Sequence, residues 1–335
     1  MKSILKMPLA TLLLSSAAVA NAADCGHVTI AALSWQSNQL QANVDQLILK
    51  EGYGCNAETV MGDTVPTITS MRDKEKPDMV SEIWVDTVPT QIFREGTASG
   101  KLVPVSESLS EGGINAWFIP EYFAKEHPEI RTIADVMKHP ELFPSPENPA
   151  RAAIFNGTEG WGWTVITAQL YKAFDMNSAG FDLVSTGSGA ALDSTVVRAA
   201  AQKKGWVGYY WAPTSLMGKY PMVQLDPGVP FDNREWERCT TKANCPDPKP
   251  NGWPKKSIVN TVITGKFAKR IPPEVLGYLK ARSYTTVEMN RMLAWMTDHQ
   301  ATGEDAAKYF LRTYPEIWTK WVPADVKAKV QKAIG

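Results

Sequence analysis

The sequence has few side chains of the types that bind metals. It contains four histidines and four cysteines in 335 residues. The histidines are scattered along the chain, and no two cysteines have the spacing of a zinc site. The motifs G-x-S-x-G and H-E-x-x-H and the phosphate-binding loop do not occur, and the Gly- and Ser-rich stretch 185–189 is interpreted as a loop. We therefore expect no metal, no cofactor and no enzymatic activity.

Excess positive charge is also lacking. The chain has 35 basic and 35 acidic residues, and removal of a predicted signal peptide with Lys2 and Lys6 leaves 33 against 35, a net charge near −2. No basic run with interleaved aromatic residues is present. The composition therefore predicts no binding to nucleic acid, and we expect a monomer.

Long apolar segments are missing as well. The chain opens with two lysines, a short apolar stretch at Leu9–Leu14 and the small residues Ala20–Ala22. These are the parts of a secretory signal peptide, and the apolar stretch is too short to span a bilayer. We predict a signal peptide at 1–23, cleaved after Ala22 or Ala23, and a periplasmic location. The alternative is a retained membrane anchor.

Four cysteines in an exported protein are an even set and predict disulfides. Cys239 and Cys245 enclose a short polar loop, and Cys25 and Cys55 flank one strand–helix unit. We expect the pairs Cys25–Cys55 and Cys239–Cys245.

Strand and helix patterns alternate along most of the chain. Strands are predicted at His27–Leu33, Asp78–Val85 and Gly205–Trp211, and a strong helix follows Trp161. This alternation predicts an α/β fold with largely parallel sheets, and the length favours two lobes.

Tryptophan is abundant, with 12 residues, and several lie where a strand ends. Ligands of open α/β sheets bind outside the carboxyl ends of the strands, and the electron-rich faces of indole rings suit a methylated cation. The alternative for each tryptophan is a packing role in the core. The following residues are candidates for a tryptophan cage: Trp35, Trp84, Trp161, Trp163 and Trp211. The remaining ones are interpreted as packing residues or, for Trp253, left open.

Three segments carry a resemblance to a known family. Glu82–Asp86 (EIWVD), Gly160–Thr164 (GWGWT) and Gly208–Pro213 (GYYWAP) resemble the ligand-binding segments of the glycine betaine/proline-betaine (quaternary amine) substrate-binding proteins of ABC transporters. The resemblance implies a periplasmic-binding-protein-like α/β fold of two lobes joined by a two-segment hinge. It implies cage roles for Trp84, Trp161 and Trp211, whereas Trp35 is added from its position alone. We place lobe 1 at 24–115 plus 258–335 and lobe 2 at 116–257.

The resemblance also implies that backbone N–H groups of Gly162 and Trp163, at a helix N-terminus, hold an anionic ligand group. Strand alternation places Glu82 on the face of Trp84 and Asp86. A carboxylate there favours a ligand with net positive charge or a protonated oxygen, such as choline or trimethylamine N-oxide. The alternative is a solvated or hinge-side acid. Asn156 is a weaker candidate for a polar contact.

The predicted function is capture of a methylated solute for the permease subunits of an ABC importer. The solutes considered are glycine betaine, choline, carnitine, trimethylamine N-oxide and dimethylsulfoniopropionate. Two alternatives are a carbohydrate-active enzyme that uses the tryptophans as a platform, and a receptor that passes its solute to a chemosensor.

Overall fold

The computed structural model describes residues 25–335. The predicted signal peptide, 1–23, lies outside the described residues. Within them, no helix is both long and apolar enough to cross a membrane. Both expected disulfides, Cys25–Cys55 and Cys239–Cys245, are formed.

Ten strands form two five-stranded sheets. The strands are β1 (His27–Leu33), β2 (Asn56–Gly62), β3 (Met79–Trp84), β4 (Leu102–Glu107), β5 (Ile114–Pro120), β6 (Ala152–Asn156), β7 (Phe181–Ser185), β8 (Gly208–Ala212), β9 (Met222–Gln224) and β10 (Val259–Thr264). The first sheet has the order β2-β1-β3-β10-β4, and the second has the order β7-β6-β8-β5-β9.

Fifteen helices are found among the described residues. They are α1 (Gln36–Leu47), α2 (Thr64–Lys74), α3 (Thr90–Ala98), α4 (Glu121–Glu126), α5 (Ile133–Lys138), α6 (Gly162–Ala173), α7 (Gly189–Gln202), α8 (Ser215–Lys219), α9 (Asn233–Glu235), α10 (Gly265–Arg270), α11 (Pro273–Ala281), α12 (Thr286–His299), α13 (Gly303–Thr313), α14 (Pro315–Trp318) and α15 (Ala324–Ile334).

Each sheet combines parallel and antiparallel pairing. In the first sheet β2, β1 and β3 run parallel, and β10 pairs antiparallel with β3 and β4. In the second sheet β7, β6 and β8 run parallel, and β5 pairs antiparallel with β8 and β9. Strand β3 is buried along its whole length, as expected for a strand covered on both faces. The predicted α/β fold with two lobes is confirmed.

The chain passes between the sheets after β4 and returns before β10. The two crossing segments meet at Gly113 and Ser257, which exchange backbone hydrogen bonds of 3.0 Å (Gly113 N to Ser257 O) and 2.7 Å (Ser257 N to Gly113 O). Two adjacent connecting segments therefore join the lobes.

No prediction was made for strands β7 and β9, for helices α3, α8 and α9, or for the start of α7. Strands β7 and β9 have five and three residues, too short for a clear alternation. The predicted loop 185–189 is shorter than expected, because Ser188 caps α7 by accepting a hydrogen bond of 3.1 Å from the N–H of Ala191.

Candidate functional site

The carboxyl ends of the parallel strands deliver tryptophans to one place. Trp35 lies two residues beyond β1, at the N-cap of α1, and Trp84 is the last residue of β3. Trp161 is the N-cap of α6, after the loop that follows β6, and Trp211 lies near the end of β8. Two of these rings come from the first sheet and two from the second.

The four rings form one cluster between the sheets. Trp161 makes edge-to-face contacts with Trp35, at a centroid distance of 5.9 Å, and with Trp211, at 5.1 Å. Interplanar angles of 85° and 88° set neighbouring ring faces at right angles, so the rings form walls and do not stack. None of the four is more than 9% exposed.

A small cavity of about 30 Å³ lies among these rings. It brings together the predicted residues Trp35, Trp84, Trp161, Gly162, Trp163 and Trp211. Four further residues line it that sequence reasoning missed, namely Thr64, Thr87, Asn115 and Tyr209. Its lining contains no Lys, Arg, His, Asp or Glu. Its walls are therefore aromatic with a few neutral polar groups, which suits a small ligand with a methylated head group.

Tyr209 adds a sixth ring to the five tryptophans that line the cavity. It stacks on Trp163 at 5.2 Å with an interplanar angle of 7°, and it donates its hydroxyl to Asn115 Oδ1 at 3.0 Å. Tyr209 stands two residues before Trp211 on β8, so strand alternation places both on one face. That spacing was the signal that could have identified it.

The indole N–H groups of three cage tryptophans are held by the protein. Trp35 Nε1 and Trp84 Nε1 each donate to Glu82 Oε1 at 2.8 Å. Trp161 Nε1 donates to Ser34 Oγ, also at 2.8 Å. Because a donor on each ring edge is fixed, the orientation of each ring face is fixed as well.

Glu82 lies behind the cage, neither solvated nor in the cavity lining, and its expected preference for a positively charged ligand stays a prediction. It is fully buried, so it is not a solvated acid, and it does not line the cavity, so it is not a direct ligand group. Alternation does place it beside Trp84, as predicted, but its carboxylate binds the rings from behind. Burial raises the pKa of Glu82, and the hydrogen bonds from Trp84, Trp35 and Ser37 oppose that rise.

Asn156 is likewise not in the cavity lining. Its Nδ2 donates to the carbonyl of Thr164 at 3.0 Å, and its Oδ1 accepts from the N–H of Gly157 at 2.8 Å. Both ends of the amide are therefore used to shape the loop between β6 and α6, and the prediction of a ligand contact through this side chain has no support in the geometry.

Asp86 does not share the face of Glu82, because β3 ends at Trp84 and a 3-10 turn follows. Ser257 Oγ donates to Asp86 Oδ2 at 2.8 Å, whereas Oδ1 is buried without a hydrogen-bond partner among the described residues. Burial raises the pKa of Asp86 to about 6, against the hydrogen bond from Ser257. This acid lies at the joint between the sheets.

The N-terminus of α6 faces the cavity, as predicted. No acceptor among the described residues takes the N–H groups of Gly162 and Trp163. The Nε1 of Trp163 is also buried without a partner in that part of the chain. A Cβ on Gly162 would lie 1.9 Å from the carbonyl oxygen of Thr87, so only glycine permits this approach of the two lobes.

A second, larger cavity of about 240 Å³ adjoins the first and shares Trp35 and Trp211 with it. Residues after β1 line one side of this cavity, and the beginnings of α7 and α8 line the other. Asp193 is the only ionisable carboxylate in its lining, and it accepts a hydrogen bond from Tyr210 at 2.5 Å. Burial raises the pKa of Asp193. This space leads away from the cage between the lobes.

Comparison with known proteins identifies the family. The model for the substrate-binding domain of ABC-type glycine betaine transport systems matches residues 26–313. The chain belongs to this family. The resemblance seen in the three sequence segments is therefore confirmed, and the family consists of substrate-binding proteins of transporters.

Individual members of the family are distant in sequence. The trimethylamine N-oxide-binding protein of Pelagibacter ubique (strain HTCC1062) is 23% identical over 314 residues, which are 91% of this chain and 94% of that protein. An ABC-transporter choline-binding protein solved with choline has a TM-score of 0.71 at 18% identity, over 93% of this chain and 99% of that one. Lactococcal OpuAC, solved closed with glycine betaine, has a TM-score of 0.65 at 19% identity, over 89% and 100%. These structures share the fold.

Proposed function

We propose that this protein is the extracytoplasmic solute-binding component of an ABC importer and that it captures a small methylated ammonium or N-oxide solute in the cage. The observation that carries the proposal is the geometry of Trp35, Trp84, Trp161 and Trp211, which surround a small cavity without a charged residue in its lining. Each cation–π contact contributes roughly 0.5–2 kcal/mol, so several contacts together with methyl burial support micromolar affinity.

The polar groups of the cavity fit an oxygen atom on the ligand. The N–H groups of Gly162 and Trp163 lie at the positive end of α6 and have no acceptor within residues 25–335. An oxide, hydroxyl or carboxylate oxygen beside the methylated nitrogen would occupy that position. The relatives include proteins named for trimethylamine N-oxide and choline and one solved with glycine betaine, which agrees with this class of solute.

We also propose that the lobes, 24–115 plus 258–335 and 116–257, close on the ligand. Val65 donates its N–H to the carbonyl of Gly160 at 3.1 Å across the cleft, and Arg94 and Glu237 form an ion pair at 2.9 Å. Contacts made only in the closed form shift the equilibrium toward closure when ligand binds. The closed surface is then presented to the permease subunits in the periplasm.

Titration calorimetry with a matched pair of ligands tests the proposal. Choline and its uncharged isostere 3,3-dimethylbutan-1-ol have the same shape, but only choline has the cation. We expect one site per chain, roughly micromolar affinity for at least one of choline, glycine betaine, carnitine, dimethylsulfoniopropionate and trimethylamine N-oxide, and binding of the isostere at least about tenfold weaker than that of choline. Absence of binding to all five, or product formation detected by NMR, would contradict the proposal.

A further inference from the structure

One buried carboxylate connects the two cage rings of the first lobe. Glu82 is 0% exposed, and its Oε1 accepts 2.8 Å hydrogen bonds from both Trp35 Nε1 and Trp84 Nε1. Trp35 comes from the end of β1 and Trp84 from the end of β3. A single acceptor therefore fixes two ring faces that come from separate elements.

The hydrogen bonds around Glu82 favour its ionised form, in opposition to burial. Ser37 Oγ donates to Oε1 at 3.0 Å, and Gln41 Nε2 donates to Oε2 at 2.6 Å. The amide of Gln41 is itself fixed, because its Oε1 accepts from Arg282 Nη1 at 2.7 Å. The two indoles and this amide can only donate toward Glu82, so the Ser37 hydroxyl is the one group among the four that could accept a proton from the carboxyl group.

The charge of Glu82 is not cancelled nearby. The closest buried cation, Arg282, forms an ion pair of 2.9 Å with Asp45, and Asp45 also accepts hydrogen bonds from Ser81 Oγ and the Tyr278 hydroxyl. One arginine faces two carboxyl groups, so its charge can balance only one of them. The cavity lining itself contains no cationic side chain.

We infer that Glu82 is a specificity-determining residue that holds Trp35 and Trp84 in place and makes the cage favour ligands of net positive charge over neutral ligands with the same head group. The inference rests on the proposed function and deepens it. Choline and glycine betaine have the same trimethylammonium group, but choline has a net charge of +1 and glycine betaine has none. A fixed negative charge stabilises the bound monocation more than the bound zwitterion.

The substitution Glu82→Gln tests this inference. The amide is nearly isosteric and its oxygen still accepts from both indoles, whereas the charge is removed. We expect the affinity for choline to fall about tenfold or more, and the ratio of the choline affinity to the betaine affinity to fall at least about fivefold, as measured by calorimetry. The matched control is Glu58→Gln, the same substitution at an exposed position on β2, and it is expected to leave the ratio unchanged.

The outcomes separate this inference from the proposed function. Lack of binding of all five solutes to the wild-type protein overturns both. Binding of one of the others without binding of choline and tetramethylammonium overturns the inference alone. Wild-type binding with an unchanged ratio in Glu82→Gln overturns the inference alone. If Glu82→Gln does not fold, Trp35→Phe and Trp84→Phe decide, since each keeps a ring and removes its N–H. We expect each to weaken tetramethylammonium binding about threefold to tenfold, and wild-type affinity in both variants overturns the inference.

Discussion

The indole N–H of Trp161, which precedes α6 in the second lobe, donates to Ser34 Oγ, which follows β1 in the first, at 2.8 Å. Ser34 also donates to Asp63, so one hydroxyl links a cage ring to two parts of the opposite lobe. Ring orientation and lobe closure are thereby coupled through a single side chain.

Ser34→Ala is expected to weaken ligand binding by about 0.5–1.5 kcal/mol, the usual net contribution of one hydrogen bond. The loss should appear as faster ligand release in stopped-flow tryptophan fluorescence, because the closed form loses a contact. The control is Lys219→Met, which removes an exposed ion pair with Asp298 across the same cleft, and it should change affinity by less than about twofold. Equal effects of the two substitutions would contradict a specific role for Ser34.

Trp211→Ala should weaken binding of the methylated ligand by about 1–3 kcal/mol, through the loss of a cation–π contact and of apolar burial. Trp295→Ala is the matched control. Trp295 lies on α12, its ring stacks on that of Tyr309 with a centroid distance of 4.0 Å, and it does not line the cavity. Calorimetry on both variants gives the comparison. A cage role for Trp211 is excluded if both bind as tightly as the wild-type protein.

Gly162→Ala should weaken ligand binding by keeping the lobes apart. The added methyl group would lie 1.9 Å from the Thr87 carbonyl oxygen, so the lobes cannot approach fully, and affinity should fall by about tenfold or more, equivalent to about 1.4 kcal/mol. Gly218→Ala introduces a methyl group with no atom within 4 Å and should bind normally. Wild-type affinity of Gly162→Ala would show that this close approach is not part of the bound state.

Asp86→Asn should change stability in a pH-dependent way. Burial raises the pKa of Asp86 from 3.8 to about 6, so the native state retains a proton that the unfolded state releases between these values. The ionised form opposes folding above about pH 6, and this effect is lost as the pH falls below about 4. Asp86→Asn should therefore raise the free energy of unfolding by about 1–3 kcal/mol at pH 7.5 and by much less at pH 4.

Urea denaturation of both proteins at the two pH values measures this difference. Asp325→Asn, at an exposed position that is 66% accessible, is the control and should show no such dependence. A variant that is less stable than the wild-type protein at pH 7.5 would contradict the account, and would mean that the hydrogen bond from Ser257 outweighs the cost of burial.

The two disulfides should differ in their contribution to stability. Cys25–Cys55 closes a sequence separation of 30 residues and Cys239–Cys245 one of 6. Loop-closure entropy predicts a cost of about 4 kcal/mol for replacing the first pair by serine and about 2 kcal/mol for the second. Chemical denaturation without reductant checks the order, and the reverse order would mean that strain or residual structure dominates.

Much of the fold and the positions of the cage tryptophans could be predicted from the sequence. Strand β1 was predicted at its observed bounds, and the cage tryptophans lie where strand ends predicted them. The hydrogen bonds of Glu82 could not be predicted, because its donor Trp35 lies 47 residues away and Gln41 lies 41 residues away. Strand alternation predicts the face on which a side chain lies, but it does not predict which residues from distant parts of the chain contact it there. Tyr209 could have been predicted, because it lies two residues before Trp211 on β8 and therefore on the same face.

The hydrogen bonds of the indole N–H groups affect which amines fit the cage. Three of these donors are bound to Glu82 and Ser34, and ring faces accept N–H groups only weakly. Ethanolamine has the charge and the hydroxyl group of choline, but its three ammonium hydrogens would leave water for a cavity lined mainly by rings, with few oxygen atoms to accept them. We therefore expect the degree of methylation, and not charge alone, to decide which amine binds.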